Sequence, residues 1–292
     1  MRIGLRLFAL ALASVFLSVV FSYIACPWYQ RWGAAEVEIS RPLLGDELIA
    51  NAASQETRAI TINAPIERVW PWLAQLGQDR GGFYSYDLLE NAVGCAMPTE
   101  DRLRPAAQTW QIGDKLWMYP KDRAGGIGFA TLHAYVPGRA LAFGTRVTGA
   151  SLSEPESGSW AFVLEPIDAS TTRFLVRGRI ASGRSPAGVA FDRAIFEPAH
   201  FVMERRMMVG IKDLAEGRDR GRLLNHGQVA LWTITFVLFV SAGIMVLRRR
   251  AWARPLAAFT LAGLIFQVLT LAQPPLLLGV PLVAMLGAIV FL

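Results

Sequence analysis

Between Leu7 and Gln30 there is no charged residue, and the stretch from Leu7 through Phe21 is apolar almost throughout. At about 1.5 Å per helical residue, such a run is long enough to cross a hydrocarbon core of roughly 30 Å. A second uncharged run extends from Gly227 to Leu247 and a third from Pro255 to Leu292. As one helix the third would be nearly twice the bilayer thickness, so it divides. The break belongs at Gln273-Pro274-Pro275, because adjacent prolines remove backbone donors and resist helical continuation. Four spans follow, at 5–26, 227–247, 253–273 and 276–292. The alternative is three, with a kinked or re-entrant last segment.

These runs explain why 53% of the 292 residues are hydrophobic, a high share for a water-soluble fold. Arg248, Arg249, Arg250 and Arg254 crowd a short connection between two spans, and short basic loops stay cytoplasmic. Tracing back one span puts the central part of the chain outside the cytoplasm, with Arg2 and Arg6 inside. The expectation is an integral protein of a bacterial inner or plasma membrane with an extracytoplasmic domain. Tyr23-Ile24-Ala25-Cys26 looks like a bacterial lipoprotein signal, although Tyr23 departs from the aliphatic residue usual there; an uncleaved anchor is the plainer reading. Cys95 is the second of two cysteines, so no disulfide framework is expected. The net charge of +6 comes from scattered arginines with no dense basic stripe, which excludes a nucleic-acid reading.

Between the anchors, residues 27–55 read as a polar tether and 56–217 as one domain. Thr57 to Ile62 alternates like a half-buried strand. Asn63-Ala64-Pro65 opens a helix carrying Ile66, Val69, Trp70, Leu73 and Leu76 at helical spacing, which Gly77 stops. A short helix at Tyr86 to Val93 precedes strands at Lys115–Tyr119, Phe129–Val136, Ala140–Val147, Ser159–Leu164 and Thr172–Ile180. Asp122 to Gly128 and Val136 to Arg139 read as hairpin turns; the glycines at 125, 126 and 128 lack the spacing of a phosphate loop. A helix from Pro198 to Gly217, with Met203, Met207, Gly210 and Leu214 as its apolar stripe, closes the domain. The class is α+β. The sheet has to bury one face, and the terminal helix is the large partner available.

Several stretches carry a resemblance. Ile60 through Trp70, Gly81-Gly82-Phe83-Tyr84-Ser85-Tyr86-Asp87, Gly113-Asp114 and Glu197 through Arg205 resemble the START and birch-pollen-allergen superfamily (SRPBCC), near its polyketide cyclase/dehydrase-like branch. The resemblance covers about Glu56 to Ala215. It implies a helix-grip fold, in which a curved antiparallel sheet wraps a long C-terminal helix around a hydrophobic cavity. Members bind lipids, sterols, polyketides and other apolar molecules, and a minority catalyse cyclisation or dehydration.

Strand alternation assigns Trp160, Phe162 and Leu164, and Phe174, Val176 and Ile180, to the cavity face. Arg173, Arg177 and Arg179 then point outward, onto a solvated face or toward lipid head groups or an acidic partner. Trp70, Phe83, Tyr84, Tyr86 and Trp117 are further candidates for the ligand wall, with His133 contributing if it faces inward. Glu197, His200 and Glu204, at i, i+3 and i+7, share a helical face above Met203 and Met207. That face suits a general base or ligand-orienting groups, with His200, Glu204 and Tyr84 the catalytic candidates. Without a second histidine pair or a cysteine ligand, neither metal nor cofactor is expected. The leading functional expectation is a membrane-anchored domain that binds a hydrophobic or lipid-like molecule. A cyclase- or dehydratase-like enzyme and a membrane protein interaction module are the alternatives.

Overall fold

A computed structural model describes residues 2–98, 101–123, 128–146, 156–182 and 185–291. The chain forms two compact units, residues 30–220 and the combination of 1–29 with 221–292.

In the first unit six strands form one antiparallel sheet: β1 (Ala52–Ile62), β2 (Lys115–Trp117), β3 (Phe129–Val136), β4 (Ala140–Thr145), β5 (Gly158–Asp168) and β6 (Thr171–Ala181). Their order is β1-β6-β5-β4-β3-β2, so the first strand returns beside the last. The Val136 to Arg139 turn is present, with Arg139 N–H donating to Val136 O at 2.9 Å. Most of the other expected turn, with its glycines at 125 and 126, lies outside the described residues.

The inner face is apolar because the inward positions of the long strands are. Ile62, Leu132, Leu141, Phe143, Trp160, Phe162, Leu164, Phe174 and Val176 join Val69 and Leu73 of the helix Ile66–Ala74 and Met207, Met208 and Ile211 of the terminal helix Glu197–Ala215. This is the helix-grip arrangement, built on one core. Pro65, not Asn63, occupies the cap position of the first helix, and no side chain caps it.

Three expectations need correction. The helix that closes the sheet does not begin at Pro198. A helical run starts at Pro186, capped by the Ser185 hydroxyl, and passes through a π-turn at Asp192–Phe196 into Glu197–Ala215. Proline has no N–H to give to the preceding turn. Here the wider turn, in which Glu197 N–H reaches Asp192 O, lets the helix pass this point. Glu197 is therefore inside a helical run and not at its positive start. The buried stripe is also wider than expected: Met207 and Gly210 are buried together with Phe201, Glu204, Met208, Ile211 and Ala215, while Met203 and Leu214 sit at its edge.

The third correction concerns residues 27–55, read as a loose tether. From residue 31 this segment is folded onto the outer face of the sheet. It contains a short helix (Glu36–Ser40) and a 3-10 turn (Asp46–Ile49). Arg173 grips Glu38 with two bonds, at 2.7 and 2.8 Å. Arg177 donates to Asp46 at 2.7 Å, to the carbonyls of Arg41, Glu38 and Ile39, and to the Thr57 hydroxyl. Arg179 pairs with Asp46 at 3.4 Å. The chain's own N-terminal segment thus covers the three outward arginines, burying Arg177 and leaving Arg173 and Arg179 partly exposed, with 18% and 15% of their side chains open. A small apolar cluster of Leu43, Ala59 and Leu175 lies beneath the same cover.

In the second unit, Ile3–Gln30, Arg222–Arg248 and Ala253–Ala272 are helices long and apolar enough to cross a membrane, and Leu276–Val290 is a shorter apolar helix. The expected break is where the prolines put it, with Gln273 in the left-handed region at φ 46°. Phe239 stacks on Phe259 at 4.2 Å, and the Trp232 indole donates to Leu269 O at 2.9 Å.

Candidate functional site

Among the described residues, charged side chains enter the inner face of the sheet at one end. There β1 contributes Glu56 and Arg58 at positions in phase with Ile60 and Ile62. Arg58 is wholly buried and bridges two carboxylates, Glu56 at 2.5 Å and Glu204 of the terminal helix at 2.5 Å. Its guanidinium also lies over the Phe201 ring. Trp160 of β5 donates its indole N–H to the other oxygen of Glu204 at 2.7 Å. His200, one helical turn before Glu204, puts Nε2 4.0 Å from Glu204 and Nδ1 3.8 Å from Glu56.

Room for this cluster comes from Gly178, which β-pairing places between Glu56 and Trp160. A Cβ on Gly178 would stand 2.8 Å from Glu56 Oε1. The aromatic surround is dense: Phe83 stacks on Trp160 at 6.2 Å, Trp160 packs on Phe162 at 4.6 Å, and His200 lies edge-on to Trp160 at 5.2 Å. Phe196 covers the other side of His200 at 5.6 Å, nearly parallel.

The electrostatics divide the two carboxylates. Burial disfavours charge on Glu204, but the Arg58 guanidinium, His200 and the bonds from Arg58 and Trp160 outweigh it and hold its pKa below the ordinary carboxylate range. For Glu56 burial wins. With the nearby charges of Glu204 and Glu197 it outweighs Arg58 and His200 and raises the pKa. Arg58, disfavoured by burial but flanked by Glu204 and Glu56, is held more firmly protonated than a free arginine. Glu204 is thus locked as an anion, which explains how a carboxylate enters the buried stripe of the helix. Glu56 and His200 are the members that reach the surface, with 18% and 27% of their side chains exposed, against 1% for Glu204.

One ligand atom each from Glu56, His200 and Glu204 can be found within 4.8 Å of one another, a spacing a cation would fit. Arg58 already supplies the positive charge to both carboxylates, so the donor set suits a metal poorly.

The other candidates are distributed around this centre. Phe83, Trp160, Phe162 and Phe174 face the core together, Met207 is buried with them, and Trp70 stacks on Tyr135 at 6.1 Å at its margin. Met203 is tied in through its carbonyl, which accepts from Ser85 at 2.7 Å. Tyr84 and Tyr86 are fully buried, and burial raises the Tyr86 phenol pKa against Arg206 and Arg205. Tyr84 is not brought to His200. It holds the left-handed conformation at φ 55° and packs its backbone against Gly210, ten residues and about 15 Å along the helix. Its ring meets Trp72 and the Arg220 guanidinium, which is clamped by Asp87 at 2.5 and 3.2 Å.

Trp117 and His133 face away from the core. Leu116 takes the inward position on β2, so Trp117 lies on the other side with Phe129, beside Lys115 and Lys121. On β3 Leu132 is inward, and His133 pairs with Glu156 at 2.6 Å on the outer face.

No protein-family profile matches the sequence, and no curated protein matches it. Among solved structures, a protein from Mesorhizobium loti is similar at 17% identity over 57% of this chain and 99% of its own, with a TM-score of 0.33. A di-domain ARO/CYC protein of a biosynthetic pathway, BexL, has 17% identity over 56% and 46%, TM-score 0.29. A polyketide-cyclase-like protein from Corynebacterium glutamicum has 13% identity over 56% and 85%, TM-score 0.25. The likeness is distant, so the chemistry rests on the side chains of this chain.

The sequence singles out His200 and Glu204 as candidates but not Glu56 and Arg58. The signal was their spacing: both share the phase of Ile60 and Ile62, so on a regular strand they turn inward.

Proposed function

We propose that the 30–220 unit is a membrane-anchored binding domain for an apolar, lipid-like molecule that carries a polar group. The observation behind this reading is the Glu56–Arg58–His200–Glu204–Trp160 cluster, set at the end of an otherwise apolar, aromatic face with His200 and Glu56 still partly open. A site with an apolar body and a few convergent polar groups orients an amphiphile by its head. Glu204 and Arg58, each already paired, hold the geometry. His200 and Glu56 make the exchangeable contacts.

The test is solvent extraction and mass spectrometry of the full chain purified in a mild detergent, compared with His200→Ala and Gly178→Leu. One class of amphiphile should be enriched with the parent chain and depleted with both variants. Equal recovery from all three would sink the reading. An enzymatic second reading is favoured by one feature, the Glu56 carboxyl with His200 Nδ1 3.8 Å away, an acid and a base side by side at the partly open end of the cluster. It predicts that Glu56→Gln leaves amphiphile recovery unchanged but stops its conversion, which Glu204→Gln would not do selectively.

A further inference from the structure

The helical run that leads into the site, residues 186–196, has the composition of an interior helix and the exposure of a surface one. Its sequence is Pro-Ala-Gly-Val-Ala-Phe-Asp-Arg-Ala-Ile-Phe, and the single acidic residue, Asp192, is buried. Val189, Phe191, Ile195 and Phe196 are 45%, 52%, 57% and 44% exposed. A helix apolar on nearly every side belongs inside protein or lipid, and four large apolar side chains in eight residues make a patch that marks an interaction surface.

We infer that residues 186–196 insert into the acyl layer of the bilayer as a wedge, with Arg193 at the phosphate level. The connectivity of the chain selects lipid as the occupant. Gln30 ends the apolar helix Ile3–Gln30 and begins the domain, and only Gly221 separates Arg220 from the helix Arg222–Arg248. At about 3.5 Å per residue, neither connection lets the domain leave a membrane that these helices cross. The single exposed charge of the segment is basic, as an anionic surface requires. Because Phe196 lies on His200, the inserted segment ends against the polar cluster, giving a lipid a route to it without crossing water. The inference rests on the apolar helices being spans and does not depend on which molecule binds.

The experiment uses the full chain with Cys26→Ser and Cys95→Ser, reconstituted in vesicles of phosphatidylcholine and phosphatidylglycerol. A single cysteine replaces Phe191, Ile195, Ile167 or Val237 and carries an environment-sensitive fluorophore. All four positions are exposed, and unchanged melting in detergent verifies each variant. Lipids spin-labelled on the acyl chain should quench the probes at 191 and 195 at least threefold more than the probe at 167, approaching 237 in the helix Arg222–Arg248. Quenching at 237 but not at 191 or 195 would overturn the wedge and leave the spans standing. Absence of quenching at 237 would overturn both. Crosslinking through 191 to a second copy or another protein, with no quenching, would assign the patch to a protein contact and also overturn the wedge.

Discussion

Two buried arginines on adjacent strands of one sheet solve the same problem in different ways. Arg58 of β1 faces inward and Arg177 of β6 faces outward, with 0% and 2% of their side chains exposed. Arg177 spreads its donors over one carboxylate, a hydroxyl and three backbone carbonyls. Burial is then the largest influence and lowers its pKa, against the attraction of Asp46. Arg58 instead meets two carboxylates and is held more firmly protonated. The first arrangement is closed, since each group that receives the charge comes from the sheet or the segment covering it. The second has an open flank, through Glu56 to His200. A buried guanidinium is thus no sign of a site by itself: the carboxylates that meet the two are equally exposed, Asp46 at 17% and Glu56 at 18%, and what distinguishes the second is that Glu56 leads on to His200.

Removing Arg58 should have the largest effect on the domain. Arg58→Met leaves Glu56 and Glu204 in the core without their cation, which costs about 3–5 kcal/mol. In the parent protein the lowered pKa of Glu204 gives stability that is present above the ordinary carboxylate range and lost as pH falls through its folded value. Without Arg58 burial dominates both glutamates and raises their pKa values, so the variant should be least stable at high pH and recover as they protonate. Urea melts at pH 5 and pH 8 should show the gap narrowing at pH 5; a gap independent of pH would refute the assignment. Arg177→Met should cost somewhat less, about 2–4 kcal/mol, chiefly through buried carbonyls left without donors. Its deficit should not shrink on acidification, and the N-terminal segment should become sensitive to protease before the sheet does.

The same contrast explains what could be read from the chain. The break at Gln273, the strands after residue 115 and the inward Trp160, Phe162 and Phe174 were legible because hydrophobic period and proline placement are local signals. His200 and Glu204 were legible as a helical pair. Glu56 and Arg58 are hidden by their chemistry: charged side chains at the expected strand start near Thr57 read as solvated, although their phase places them beside Ile60 and Ile62 in a strand that runs from Ala52. The cover over Arg173, Arg177 and Arg179 was hidden for a different reason. Residues 31–50 have little periodicity, and their order comes from hydrogen bonds to arginines more than 120 positions away, which no local pattern records. Trp117 lies outward against expectation, and His133 does not meet the condition of facing inward, because aromatic and histidine side chains suit either face of a strand, and only the buried neighbours Leu116 and Leu132 decide the matter.

Smaller changes sharpen the difference between closed and open sites. Beside the Asp87–Arg220 clamp, burial and then the charge of Asp87 push the Glu90 carboxyl up to about 8, against the pull of Arg220, and Cys95 lies nearby. Its Oε2 has no hydrogen-bond partner among the described residues. An acid whose folded pKa is raised destabilises the fold as pH climbs from the ordinary carboxylate range through 8. Glu90→Gln should therefore be nearly neutral at pH 5 and stabilising by about 4 kcal/mol at pH 9. Melting temperatures that rise equally at both pH values would argue against a buried, proton-holding carboxyl. At the open site Gly178→Ala should cost about 1 kcal/mol, because its methyl displaces Glu56 and disturbs the Arg58 bridge. It should also lower amphiphile recovery, and a stability loss with recovery intact would detach Gly178 from the binding role.

The two histidines give the smallest effect on stability and the cleanest separation of the faces. His133 is paired with Glu156 on the outer face, 39% exposed, and His200 is part of the inner cluster with 27% exposed. Surface substitutions of this kind stay within about 0.5 kcal/mol, so His133→Ala should leave thermal denaturation and amphiphile recovery as they are. His200→Ala removes no charge the fold depends on, because Glu204 keeps Arg58 and Trp160. It should melt within about 1 kcal/mol of the parent while losing most of the recovered molecule. If both variants kept the ligand, the open flank of Arg58 would be as structural as the closed surround of Arg177. If only His200→Ala lost it, the inward face would be where this domain does its work.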